Sequence, residues 1–183
     1  MFWYVLFGIM ALMVLFPFFR CLAKRAVCFY RVKNACREMG YRMHPTHPLW
    51  FLGSKYSKKC DLVIETDREL LSVKLFGITR HHSVLVLMNG GSYCVRRFFP
   101  MFYLHFPIES RHRKLPVYDF EYEIGDIGKD KRLTRVLLIN PVGMELRYRV
   151  KTESETVIGD GDLVNGVMIC SLPRLLRRLE NGI

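Results

Sequence analysis

Hydrophobic and polar positions divide the chain into an apolar beginning, a helical stretch, a series of short strands and a closing helix. Residues 2–19 (FWYVLFGIMALMVLFPFF) form a run of 18 residues without a charge. A helix of that length would be about 27 Å long, close to the hydrocarbon thickness of a bilayer. Because the run is apolar on every face, it indicates a membrane helix rather than an amphipathic core helix.

We predict that this run is an uncleaved transmembrane anchor over residues 1–23, followed by one domain over residues 24–183. A cleaved signal peptide would have basic residues before the run and small residues after it. Here Phe-Pro-Phe-Phe-Arg follows the run, and nothing basic precedes it. By the positive-inside rule, the basic residues that come next place the domain on the cytoplasmic side of a single-pass membrane protein; they are Arg20, Lys24, Arg25, Arg31 and Lys33.

The rest of the chain predicts an α+β fold. Apolar residues at helical spacing indicate a helix over Lys24–Met39 that ends at Gly40. The segment SLPRLLRRLE predicts a short C-terminal helix with Ser171 as its N-cap. Between them we expect one mixed, mostly antiparallel sheet of about seven or eight strands. The clearest strands cover residues 62–64, 70–76, 84–88, 92–98, 135–140, 145–150 and 166–170.

The charge of the chain favours an anionic partner. Its net charge is +11 and its isoelectric point about 9.6, so it attracts polyanions. The partner could be a lipid surface, a nucleic acid or an acidic protein, because basic charge does not distinguish them. The aromatic block Phe98–Phe106 is either a core strand or a surface that dips into a membrane. We predict that binding involves the basic residues on both sides of this block, namely Arg96, Arg97, Arg111, Arg113 and Lys114.

The cysteines argue against a disulfide framework. The six cysteines are scattered along the chain, without a C-x-x-C pair. This distribution is typical of reduced thiols, most of them acting as small apolar core residues.

The stretch CDLVIETDRELLSVKLFG, residues 60–77, carries the candidate chemistry. Asp61 opens the first of its two strands and Lys74 lies inside the second. One interpretation is that both are charges on the solvent-facing side of a sheet. In the other, the order of helix, strand, Asp-bearing strand and Lys-bearing strand resembles the beginning of the PD-(D/E)xK nuclease superfamily.

The resemblance implies a metal site. In that family two carboxylates hold a Mg²⁺-type cation and a lysine assists the attack of water on a phosphodiester. Asp61 and Glu65 would be the metal ligands and Lys74 the third catalytic group. Ser72 stands where the family has the acid of its acid-x-lysine triplet, and a serine is a poor ligand for a hard dication.

We therefore expect a non-catalytic binding module without a cofactor. The alternative is a membrane-tethered, Mg²⁺-dependent nuclease in which another acid replaces the missing one. Besides Glu65, the candidates for that acid are Glu38 and Glu69.

Overall fold

The computed structural model describes residues 2–46, 60–77, 83–89, 92–101, 104–109, 113–114, 130–140, 145–150 and 154–181. Within these ranges it contains two helices and twelve strands. In chain order they are α1 (Phe2–Glu38), β1 (Arg42–Pro45), β2 (Leu62–Glu65), β3 (Glu69–Phe76), β4 (Ser83–Met88), β5 (Ser92–Met101), β6 (Leu104–Glu109), β7 (Arg113–Lys114), β8 (Arg132–Ile139), β9 (Glu145–Arg149), β10 (Glu155–Val157), β11 (Leu163–Val164), β12 (Val167–Ser171) and α2 (Leu172–Asn181).

The strands form two sheets, so the prediction of one sheet is wrong. The first has the order β1-β2-β3-β8-β12-β11, with β3, β8 and β12 parallel to one another. The second has the order β10-β9-β4-β5-β6, with β7 beside β5. Strand periodicity identifies strands but not their partners. β3 pairs with β2 and β8, whereas β4, the next strand in the chain, pairs with β5 and with the distant β9. Consecutive strands β3 and β4 therefore belong to different sheets.

The two sheets and the helices make three layers. One face of the first sheet packs against α1 and α2, with Leu71, Val73 and Leu138 in the shared core. The opposite face packs against the second sheet, with Val63 and Leu137 from the first sheet and Leu85, Leu87 and Leu146 from the second. Because the first sheet is covered on both faces, the buried parts of its central strands are mostly apolar, namely Leu70–Phe76 except for Ser72 and Lys74, and Val136–Ile139.

Helix α1 contributes its second half to this core. Cys28, Val32 and Cys36 recur on one face and are at most 2% exposed. Val27, next to Cys28 in the same helix, is 52% exposed. The helix stops at Gly40, whose φ of 73° is readily adopted only by glycine. The amides of Gly40 and Tyr41 donate to carbonyls of the last turn, which is the Schellman arrangement.

The transmembrane anchor over residues 1–23 is a wrong prediction. In the described part of the chain, no helix is both long enough and apolar enough to cross a membrane. Helix α1 continues through residue 23 without a break, and its stretch 22–38 mixes buried apolar residues with Lys24, Arg25, Arg31, Lys33, Arg37 and Glu38. The single-pass membrane location and the orientation inferred from the anchor are wrong with it.

Helix α2 closes the helical layer and agrees with its prediction. Leu175 and Leu179 are buried against the first sheet. Ser171 caps the helix, since its Oγ accepts the Arg174 amide at 3.3 Å. Asp160 accepts the Ser171 amide at 2.8 Å and so holds the cap on a tight turn.

A cluster of charges lies on the outer face of the second sheet. Glu155 of β10 accepts hydrogen bonds from Arg96 of β5 at 2.8 Å, from Arg147 at 3.2 Å and from Arg149 at 3.1 Å. In a flat sheet Arg96 and Glu155 would stand about 14 Å apart across the strands and about 13 Å apart along them. The sheet therefore curls toward this face. The three guanidinium groups lower the pKa of Glu155 to about 2.

The Glu155 cluster predicts a loss of stability in acid. Because the pKa of Glu155 is lower in the folded chain than in the unfolded chain, its contribution is complete above about pH 4.5 and is lost as the pH falls toward 2. At pH 7, Glu155→Gln should lower the free energy of unfolding by about 1–2 kcal/mol. Denaturant titrations should show that the difference in free energy of unfolding between Glu155→Gln and the unchanged chain becomes smaller as the pH falls from 4.5 to 2.

The matched control is Glu145→Gln, because Glu145 contacts only Arg147 of these three arginines. It should have a smaller effect than Glu155→Gln. A loss in Glu155→Gln that is the same at pH 7 and pH 2.5 would contradict the prediction.

Candidate functional site

The hairpin of β2 and β3 brings Asp61 and Lys74 together at one end of the first sheet. Asp61 precedes β2, and its amide donates to the Val73 carbonyl at 2.9 Å. Its side chain continues the strand pairing, since Oδ2 accepts the amide of Leu75 at 2.7 Å. Oδ1 accepts a hydrogen bond from Arg25 Nη2 of α1 at 3.1 Å and lies 4.0 Å from Lys74 Nζ. One carboxylate thus faces two cations.

This charged group lies in the interior, so the solvent-facing interpretation is wrong. Asp61 is 6% exposed and Lys74 2% exposed. Lys74 shares a face of β3 with Leu70 and Phe76, which belong to the core between the sheets. Burial lowers the pKa of Lys74, Asp61 raises it in part, and Arg25 lowers it further. The attraction to Asp61 is what makes a buried ammonium tolerable here.

Ser72 lies on the same face of β3, two residues before Lys74. Its side chain is fully buried, and its hydroxyl makes no well-formed hydrogen bond with another described residue. The Cys60 thiol lies beside it, and burial raises the pKa of that thiol. A buried hydroxyl and a protonated thiol do not supply the negative charge that a magnesium ion requires.

The acids that could replace the missing carboxylate are engaged elsewhere. Glu65 is four residues beyond Asp61, or about 13 Å along the strand, and it accepts a hydrogen bond from Lys131 at 3.0 Å. Glu69 binds Arg178 at 2.7 Å and Thr134 at 2.7 Å. Glu38 is exposed at the end of α1. Across the described ranges, no three histidines, cysteines or acids come together as metal ligands would.

Two adjoining clefts beside α2 form the second candidate site, which we call the α2 groove. The larger cleft, of about 480 Å³, lies between the turn from β2 to β3 and the end of α2. The smaller, of about 200 Å³, lies beside the arginine face of α2. Arg178 and Asn181 border both clefts, so the two lie side by side.

Arginines dominate the polar lining of the α2 groove. Arg68 and Arg132 line the larger cleft, and Arg174 and Arg177 line the smaller. All four are exposed, and among the described residues no acid lies within salt-bridge distance of any of them. Arg178, between the clefts, is held by Glu69 instead. The acids of the lining are Asp67 and Glu69, so five arginines face two carboxylates and the groove is positive.

The chain fold assembles this arginine set from distant segments. Parallel pairing puts Arg132 of β8 opposite Glu69 of β3, and Arg68 is the neighbour of Glu69. Arg174 and Arg177 come from α2, where residues three or four positions apart share a face. Arg174 and Arg177 lie in the segment for which the sequence predicts a C-terminal helix. The parallel pairing that adds Arg68 and Arg132 has no local signal.

Of the five basic residues that the sequence singled out, the structure describes the side chain of Arg96 and the strand register of Arg97, Arg113 and Lys114. Arg96 is part of the Glu155 cluster. Arg97 is opposite Ser83 in the second sheet. Arg113 and Lys114 form β7 beside β5. Arg111 and the side chains of Phe98–Phe106 lie outside what the structure describes.

Comparisons with family models, with curated proteins and with solved structures returned no match in any of the three. The resemblance to the PD-(D/E)xK superfamily therefore stays a prediction from residues 60–77. The geometry of the site carries the functional argument.

We predict that removing the negative charge of Asp61 lowers the stability of the fold much more than removing the positive charge of Lys74. Asp61→Asn removes the buried negative charge that Arg25 and Lys74 face and should lower the free energy of unfolding by about 3–5 kcal/mol. Lys74→Met replaces the buried ammonium with an apolar chain of similar length, and Asp61 keeps its hydrogen bonds to Arg25 and to the Leu75 amide. It should change that free energy by less than about 1.5 kcal/mol.

Urea titrations of both variants measure these differences. Equal losses in Asp61→Asn and Lys74→Met would show that the pair acts as a unit and would contradict the prediction. If Asp61→Asn does not accumulate as folded protein, Asp61→Glu at the same position tests the same contacts, and it should be intermediate.

Proposed function

We propose that this chain is a non-catalytic module that binds the phosphate backbone of a nucleic acid in the α2 groove. The observation that carries the proposal is the set of four arginines that line two adjoining clefts without an acidic partner among the described residues. A net charge of +11 adds long-range attraction for a polyanion.

The type of cation favours phosphate over carboxylate-bearing partners. All five basic residues of the α2 groove are arginines and none is a lysine. The planar guanidinium donates paired hydrogen bonds that match a phosphate, and it stacks on bases and other flat groups. On α2, Arg174 and Arg177 are three residues apart, about 4.5 Å along the axis, so both guanidinium groups can contact the same stretch of phosphate backbone.

The state of Asp61 supports a non-catalytic role. A metal ligand needs a carboxylate that is open to the ion, yet Asp61 is buried and its oxygens are taken by Arg25 and the Leu75 amide. The guanidinium supplies the positive charge that a metal ion would supply. A second carboxylate within reach of the same point is missing from the described residues.

The proposal predicts that the α2 arginines contribute more to binding than other exposed basic residues. Arg174→Ala combined with Arg177→Ala should weaken binding of a 20-nucleotide single-stranded DNA about tenfold or more. It should also reduce the slope of log affinity against log salt by about 1.4, since about 0.7 is expected for each phosphate contact on a single strand. Fluorescence anisotropy at several KCl concentrations measures both.

Arg31→Ala combined with Lys33→Ala is the matched control, because it removes the same charge from the exposed face of α1. It should lose much less affinity than the α2 variant. Equal losses in the two double variants would leave only general electrostatic attraction and contradict the α2 groove. Binding of polyglutamate or of anionic lipid vesicles as tight as that of DNA would contradict the choice of nucleic acid.

The nuclease alternative makes a different prediction for the same preparation. It requires Mg²⁺-dependent cleavage of single-stranded DNA or RNA that Asp61→Asn and Lys74→Met both abolish. We expect bound but uncut nucleic acid with and without Mg²⁺, by gel electrophoresis after prolonged incubation. Cleavage that depends on Mg²⁺, Asp61 and Lys74 would replace the binding-module proposal with the nuclease.

A further inference from the structure

The larger cleft of the α2 groove combines an aromatic and apolar part with a cationic part. Tyr41 lines it together with Arg68 and Arg132, and the almost wholly buried Leu71 and Leu179 add little surface to it. Its volume of about 480 Å³ lies within the range of about 300–1,000 Å³ that is usual for small-ligand sites. A phosphate backbone alone would contact only the arginines of this cleft. A ligand with both a flat group and a negative charge could contact Tyr41 as well as Arg68 and Arg132.

The position of Tyr41 is fixed by the end of α1. Its amide donates to the Cys36 carbonyl at 2.8 Å, and its partly buried side chain packs against the core beneath the helices. A ring held in this way offers a stacking surface at little cost in conformational freedom. Stacking of a base on an aromatic side chain is tolerant of sequence, because every base has a flat face.

The charges of the cleft leave two arginines for a ligand. Arg178 is held by Glu69, whose second oxygen accepts the hydroxyl of Thr134. Asp67 is the other acid in the lining. Arg68 and Arg132 are exposed and have no acidic partner among the described residues. The charges of Glu69 and Arg178 thus cancel each other, and Arg68 and Arg132 are the residues that can bind a negatively charged group of the ligand.

We infer that the larger cleft is a seat for one nucleoside monophosphate unit, with its base against Tyr41 and its phosphate at Arg68 and Arg132. This inference rests on the proposed function, because it assigns the end of the bound nucleic acid to this cleft. The smaller cleft, with Arg174 and Arg177, then carries the adjoining part of the strand. The same chemistry is presented by a free nucleotide and by the 5′-phosphorylated end of an oligonucleotide.

Isothermal titration of the whole chain with AMP, adenosine and inorganic phosphate tests the seat. AMP should bind about tenfold or more tightly than adenosine or phosphate, because only AMP uses both parts of the cleft. Tyr41→Ala should weaken AMP about tenfold and leave phosphate unchanged. Tyr41→Phe keeps the ring and should retain AMP binding.

Variants of the arginines give a second, independent readout. Arg68→Gln and Arg132→Gln change exposed side chains, and each should weaken both AMP and phosphate. Arg174→Ala with Arg177→Ala should leave AMP binding unchanged while weakening the oligonucleotide. A 5′-phosphorylated 20-nucleotide DNA should compete with AMP, and the same DNA with a 5′-hydroxyl should compete less well. Equal competition by the two DNAs would overturn the assignment of the cleft to the end of a strand and leave it to a free nucleotide.

The two proposals fail in different ways. AMP affinity no higher than that of phosphate, or AMP affinity unaffected by Tyr41→Ala, would overturn the nucleotide seat, whereas oligonucleotide binding through Arg174 and Arg177 would still support the proposed function. If AMP binds as expected but Arg174→Ala with Arg177→Ala does not weaken binding of the oligonucleotide, the proposed function fails and the cleft is a site for a free nucleotide.

Discussion

The carboxylate of Asp61 is the constraint on which the arrangement of helix and sheet depends. It continues the strand pairing through the Leu75 amide, and it binds Arg25, which belongs to α1. It also offsets the charge of Lys74, an ammonium buried between the sheets. Buried charges are costly unless they are paired, and this one side chain contacts a cation of α1 and a cation of β3, so it ties the helix to the sheet.

Acidic partners divide the arginines of this protein into two kinds. Arg25, Arg96 and Arg178 bind carboxylates from distant parts of the chain, and these partly buried pairs hold one element against another. Arg68, Arg132, Arg174 and Arg177 have no acidic partner in the described residues. Exposed arginines of the second kind add little to stability, but their charge remains available to a ligand.

The α2 groove follows from the way the helical layer meets the first sheet. Leu175 and Leu179 are buried under α2, so Arg178 faces the turn that joins β2 to β3, and Arg174 and Arg177 line the smaller cleft. Glu69 then reaches Arg178 and holds the end of α2 against β3. The space beside this contact is the larger cleft. Its lining therefore comes from the helix end at Tyr41, the β2–β3 turn, β8 and α2, four segments that only packing brings together.

Local patterns were enough to predict several elements, because the forces behind them act between near neighbours. Helical spacing located the second half of α1 and α2, Gly40 marked the helix end, and Ser171 its cap. Alternation and turn residues located β2, β3, β4, β5, β8, β9 and β12. The same reasoning was wrong for residues 2–19, where an uncharged run predicted a membrane anchor, whereas no helix in the described part of the chain is long and apolar enough to cross a membrane.

Long-range pairing decided what the sequence left open. The sequence by itself determined a basic α+β chain with Asp61 and Lys74 on neighbouring strands, because composition and periodicity are local properties. The tertiary structure was needed to show that Arg25 of α1 binds Asp61. It was also needed to show that β3 pairs with β8 in one sheet and β4 with β9 in another. It alone placed Arg68 and Arg132 beside the α2 arginines. The physical reason is that burial and pairing depend on which distant residues meet, and neither leaves a periodic trace in the chain.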